Sequence, residues 1–148
     1  MIDKPSLFRV LLVEDEPADA HLIRLAFEEN NLLVDLRHVS DGVEAFSFLR
    51  RQSGYSDEAQ PDLILLDLNM PRMNGLQFLE KIKQEVAFRH IPVVVLTTSD
   101  SESDIIRSYD LGASGYVVKP VDIDDFIHQV KTLEDYWITL VRRPQKPG

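Results

Sequence analysis

Apolar residues fall into short runs, and a polar residue or a turn closes each one. Val10-Leu11-Leu12-Val13 stops at Glu14-Asp15-Glu16. Asp62-Leu63-Ile64-Leu65-Leu66 stops at Asp67, Ile91 to Leu96 at Thr97-Thr98-Ser99, and Tyr116-Val117-Val118 at Lys119-Pro120. Leu33 to Val39 is a looser run closed by Ser40-Asp41-Gly42. Such runs predict strands buried in a parallel sheet. The segments between them read as helices. Pro17 suits a first helical turn, and Leu22, Leu25 and Ala26, with Ile23 nearby, give one apolar face that ends at Asn30-Asn31. Val43 to Arg51 predicts a second helix, Leu76, Phe78, Leu79 and Ile82 mark a third, and Ser101 to Leu111 a fourth, with Gly112 as its C-terminal cap. Asp122 to about Val141 completes the series. Alternation of strand and helix predicts an α/β fold with a parallel sheet covered on both faces.

Composition narrows the picture. The 148 residues suit one domain, and 44% apolar and 28% charged residues argue against disorder. A net charge of −9 argues against non-specific nucleic-acid binding. The chain has no cysteine, which excludes disulfides, thiolate zinc sites and a cysteine nucleophile. That composition is compatible with a cytoplasmic location. No run of about 18 apolar residues predicts a membrane span. Residues 1–8 read as a short leader, 9–134 as the folded domain, and 135–148 as a helix extension and tail, with no output domain expected to follow.

The polar residues that stop the strands carry the chemistry. In an open parallel sheet every carboxyl end lies along one edge, where α/β folds bind ligands. Glu14, Asp15, Asp67, Thr97 and Lys119 are therefore expected to converge. Three close carboxylates repel unless a cation compensates. Mg²⁺ favours oxygen ligands and accepts one or two direct carboxylates plus waters. Asp15 and Asp67 are the expected direct ligands, with Glu14 acting through water. A carboxylate flanked by a metal ion and an ammonium can attack phosphorus and form an acyl phosphate. Each residue alone admits a plainer reading. Asp67 could be a turn former or helix cap, Thr97 a structural strand end, Lys119 a solvated surface residue, and Glu14-Asp15 a complement to a helix dipole. Only their joint placement favours chemistry.

These blocks resemble the signatures of response-regulator receiver domains: Val10 to Asp15, Leu65-Leu66-Asp67-Leu68-Asn69-Met70-Pro71, Val95-Leu96-Thr97-Thr98, and Gly112 to Pro120. They stand in the family's order over nearly the whole chain, from about Arg9 to Glu134. The resemblance implies a flavodoxin-like (βα)5 fold with strand order 2-1-3-4-5. It implies that Asp67 is the phosphoacceptor, that Glu14, Asp15, Asp67 and the Asn69 backbone carbonyl hold Mg²⁺, and that Lys119 pairs with a phosphoryl oxygen. Thr97 and Tyr116 would be the paired switch residues, and the Lys119–Pro120 bond would be cis. Glu14 departs from the Asp found in many members, and its longer arm could shift the water-mediated metal contact.

The expected function is that of a single-domain response regulator. A partner histidine kinase would phosphorylate it, and it would change the face formed by its fourth helix, fifth strand and fifth helix. The last helix carries an apolar stripe, Val130, Leu133, Trp137 and Leu140, that could pack on the domain itself or form a homodimer. This ending, with Val86 to Ile91 and Val121 to Phe126, is similar to the small regulators that serve cyanobacterial phytochromes, which implies a light-regulated kinase as donor. A haloacid-dehalogenase-type phosphohydrolase would instead carry its nucleophile in a D-x-D motif on the first strand. A receiver fold that works without phosphate would be expected to lack part of the set Asp15, Asp67, Thr97 and Lys119. A flavin-binding flavodoxin would want a phosphate loop where Glu14-Asp15-Glu16 stands. His21, His38, His90 and His128 show no ligand spacing and read as surface or packing residues.

Overall fold

Five parallel strands form one sheet in the order β2-β1-β3-β4-β5: β1 (Phe8–Val13), β2 (Val34–Val39), β3 (Leu63–Leu66), β4 (Val93–Thr97) and β5 (Gly115–Val118). The structure is a computed structural model that describes residues 8–29, 34–122 and 124–131. The strands alternate with α1 (Pro17–Glu29), α2 (Gly42–Leu49), α3 (Gly75–Gln84) and α4 (Glu102–Asp110). Residues 124–131 are helical and begin α5. This is the doubly wound, flavodoxin-like α/β fold expected from the sequence.

Side chains alternate across a strand, so each apolar run feeds two cores. Leu11, Val13, Ile64, Leu66, Val93 and Val95 pack with Phe46, Phe78 and Leu79 of α2 and α3. Val10, Leu12, Leu63, Leu65, Val94 and Leu96 pack with Ile23 and Phe27 of α1 and with Phe126 and Val130 of α5. Helix starts are set by short polar side chains. Asp41 accepts a hydrogen bond from the Glu44 amide at 2.9 Å, and Asn74 forms a capping box with Gln77. Gly112, at φ +104°, follows α4 in the left-handed conformation that ends a helix.

Several expectations shift. The buried face of α1 consists of Ala20, Ile23, Ala26 and Phe27, while Leu22 and Leu25 lie half-buried at its flank. The stripe at i, i+3 and i+7 from Ala20 meets the sheet more squarely than the leucine pair. β4 begins at Val93 instead of Ile91, because Pro92 has no N–H and Ile91 closes a turn by donating to the Phe88 carbonyl at 3.0 Å. α2 ends at Leu49, since Arg51 adopts φ +56° and leaves the helical region. The Lys119–Pro120 bond is trans, against the cis bond that the resemblance implied, and no described peptide bond is cis. Trans is the intrinsic preference of an X–Pro bond. The expected helix end at Asn30-Asn31 lies outside the described residues.

Candidate functional site

The hydrogen-bond ladder continues one rung past the strand ends, and these rungs fix the polar residues that stop the apolar runs. The Glu14 amide donates to the Val39 carbonyl at 3.0 Å, the Asp67 amide to Val13 at 3.0 Å, and the Lys119 amide to Thr97 at 2.7 Å. Side chains from β1, β3 and β5 are thereby turned into one cup. Glu14, Asp15 and Asp67 each offer a carboxylate oxygen, and these oxygens lie within 4.8 Å of one another. The cup is graded: Glu14 is 1% exposed, Asp67 7% exposed, and Asp15 stands open at the rim. Thr97, at the end of β4, is fully buried.

Lys119 enters the cup from the β5 side but does not stand free. Its ammonium donates to Glu14 and, at 3.1 Å, to Asp19 on α1. Burial pushes the Glu14 carboxyl up to about 8; Lys119 opposes this rise and Asp67 adds to it. Burial alone would lower Lys119, but Glu14 first, then Asp67 and Asp19, hold its pKa above the usual lysine value. Among the trio, Glu14 bonds this ammonium and Asp67 feels its charge. Burial at this depth raises the energy of the charged carboxylates unless more positive charge arrives. The donor set is oxygen only, which suits a hard divalent cation.

Loop geometry brings the start of α3 against Asp67. A side chain on Gly75 would place its Cβ 2.3 Å from the Asp67 carbonyl oxygen and 2.6 Å from the Leu68 Cα, so only glycine allows α3 to start there. Arg72, at φ +61°, donates from Nε to the buried Asp41 at 2.7 Å and ties the β3–α3 loop to the start of α2. Asn69 is exposed and lines an open depression with Asp15, Asn74 and Asp104. Thr97 and Tyr116 are joined through Ser99. The Ser99 amide donates to Thr97 Oγ1 at 3.4 Å, the Tyr116 hydroxyl donates to the Ser99 carbonyl at 2.8 Å, and Ser99 Oγ donates to Asp104 at 2.7 Å. The Tyr116 ring packs half-buried against the α2–α3 core.

Glu14, Asp15 and Asp67 meet as expected, and Lys119 joins them through Glu14. Val130 is 2% exposed and packs into the core of its own chain, while Leu133, Trp137 and Leu140 lie outside the described residues. The sequence reading missed Asp19, Gly75, Arg72 and Asp104. The Asn74-Gly75 pair was the available signal. His38 Nε2 donates to the Glu14 carbonyl at 2.7 Å, a positioning contact with no ligand geometry.

The family model of the response regulator receiver domain matches residues 10–131. The chain belongs to this family. It is 39% identical to response regulator Rcp1 of Synechocystis sp. over 135 residues, which cover 91% of this chain and 92% of Rcp1. The crystal structure of the phosphorylated cyanobacterial phytochrome response regulator RcpA superposes with a TM-score of 0.86 at 38% identity, covering 95% of this chain and all of RcpA's. The Mn²⁺-bound form of Rcp1 gives 0.80 at 37% identity, covering 95% of this chain and 99% of that one. The chain is therefore a two-component receiver related to the phytochrome response regulators. Receivers bind a divalent metal at an acidic pocket, and the Glu14, Asp15 and Asp67 donor set fits that use. Among the described residues no helix is long and apolar enough to cross a membrane.

Proposed function

We propose that this receiver is a phosphorylation switch in which Asp67 takes a phosphoryl group from a histidine kinase. The observation that carries the reading is the meeting of Asp67 with Glu14 and Asp15 within 4.8 Å, beside the ammonium of Lys119. An Asp67 carboxylate oxygen attacks the phosphorus of a phosphohistidine. The P–O bond forms as the P–N bond breaks, and the imidazole leaves with the electron pair and takes up a proton. Glu14, Asp15, Asp67 and the Asn69 carbonyl would hold Mg²⁺, which would supply charge neutralisation to the phosphoryl group. Lys119 pairs with one of those oxygens, and the Thr97 hydroxyl donates to another.

Phosphorylation adds about −1.5 to −2 of charge at Asp67. Thr97 is linked to Tyr116 through Ser99, so a new bond at Thr97 pulls on β5 and on the loop before α4. The α4–β5–α5 face then changes and alters partner binding. The protein catalyses its own phosphorylation and dephosphorylation and turns over no other substrate. The kinship with Rcp1 and RcpA supports a phytochrome kinase as phosphodonor, and the stripe Leu133, Trp137 and Leu140 supports a homodimer. Nothing in the acidic surface favours nucleic acid, and the protein acts in the cytoplasm. Phosphotransfer from a purified phytochrome kinase tests the partner. Transfer that follows the light state of the kinase and outpaces an unrelated kinase supports it. Equal transfer from both removes the phytochrome assignment.

A further inference from the structure

Lys119 is the one ammonium that the described residues bring to the cup, and two carboxylates hold it. Glu14 belongs to the acidic trio. Asp19 does not. It sits in the first turn of α1, its side chain is 36% exposed, and its Oδ2 lies 3.1 Å from Lys119 Nζ. The Lys119 side chain is 7% exposed, so the pair joins a buried cation to an anion at the protein surface. Its reach to Asp19 crosses from β5 to α1, 100 residues apart in sequence.

We infer that Asp19 is a positioning residue that holds Lys119 toward α1 and, through its charge, restrains phosphorylation of Asp67. The inference rests on Asp67 being the phosphoacceptor. A phosphodonor brings negative charge into a cup already rich in carboxylates. The charge of Lys119 favours that approach, and Asp19 offsets part of it. The side chain of lysine is a flexible stem with a compact charge, so the ammonium turns toward whichever anion binds it best. Asp19 competes with the incoming phosphoryl group for the ammonium. Its partial exposure keeps the contest modest, since pairs open to solvent change an equilibrium constant by up to about fivefold.

Two variants separate charge from shape. Asp19→Asn keeps an oxygen that can accept from Lys119 and removes the charge. Asp19→Ala removes both. Each is phosphorylated with acetyl phosphate and Mg²⁺, and the half-saturating donor concentration and the limiting rate are measured at low and high salt. Both variants should saturate at a donor concentration roughly two- to fivefold lower, and the gain should shrink with added salt, because it is a charge effect. The affinity for beryllofluoride, a phosphoryl mimic, should rise in parallel in the absence of any chemistry. Unchanged saturation in both variants overturns the inference, as does slower labelling in Asp19→Ala alone, which would make Asp19 a support for Lys119 and not a restraint. Asp67→Asn serves as the control for the underlying reading. If it labels like the wild type, the phosphoacceptor assignment fails first and the Asp19 inference falls with it. If it stays unlabelled while the Asp19 variants match the wild type, only the Asp19 inference fails.

Discussion

At the scale of single residues, Glu14 shows most directly what the cup needs. Its carboxyl is buried, and its pKa rises from 4.5 to about 8. Between those values the folded protein keeps a proton that the unfolded chain has released, so the contribution of Glu14 to stability is complete below 4.5 and is lost as pH rises through the window. A divalent ion bound in the cup would replace that proton with a stronger positive charge. The melting temperature with Mg²⁺ should therefore exceed that with chelator, and by more at pH 8 than at pH 5. Glu14→Gln should melt about 3 °C above the wild type in chelator at neutral pH and should lose most of the gain from Mg²⁺. A scanning calorimeter reads both, and a variant that melts lower in chelator would contradict the electrostatic account. The residues at strand ends were legible in the sequence because each interrupts an apolar run. Asp19 and Asp104 were not, because an acidic residue on the polar face of a helix looks like solvated surface until the tertiary contact is known. Arg72 was hidden for another reason: its φ of +61° and its bond to Asp41 are products of loop closure, to which a local pattern is blind.

At the scale of elements, the strands were the readable part. Leu63 to Leu66 and Val10 to Val13 are buried on both faces, so burial alone dictates an unbroken apolar run. Helix faces were less readable, as α1 shows, where Leu22 and Leu25 yield the core to Ala20 and Phe27. The segment from Gln52 to Pro61 reads as polar loop, yet Tyr55 anchors it. The Tyr55 ring lies 5.2 Å from that of Phe48, and its hydroxyl donates to Glu44 at 2.7 Å. Burial first, then the bond to Glu44, push the Tyr55 hydroxyl up to about 12. The folded state therefore holds this proton where the unfolded chain loses it. The stabilisation is complete below pH 10 and disappears as pH rises from 10 through 12. Urea midpoints should fall between pH 9.5 and 11.5 in the wild type and fall less steeply in Tyr55→Phe. Parallel slopes in the two proteins would show that Tyr55 does not anchor the loop through its hydroxyl.

At the scale of the whole molecule, the topology does what no single motif can. Strand order β2-β1-β3-β4-β5 puts β1 and β3 side by side, so Glu14 and Asp67 become neighbours although they are far apart in the chain. The same order sets β5 beyond β4, and the length of Lys119 spans the gap back to Glu14. The apolar stripe that the sequence pattern predicts near the C-terminus divides at this scale. Val130 serves the internal core, which leaves Leu133, Trp137 and Leu140 as the residues on which a homodimer would depend. Sedimentation should give a dimer for the wild type and a mass shifted toward monomer for Trp137→Ala; a monomer in both cases would remove the dimer.

The acyl phosphate itself gives the most direct measurement. Wild type and Asp67→Asn are incubated with acetyl phosphate and Mg²⁺ and weighed intact by mass spectrometry, with a chelator control. The wild type should gain one phosphoryl group, labile to hydroxylamine and absent with chelator, and Asp67→Asn should gain none. Labelling of Asp67→Asn equal to that of the wild type, or a folded wild type that takes up no phosphoryl group, would contradict the assignment of Asp67 as phosphoacceptor.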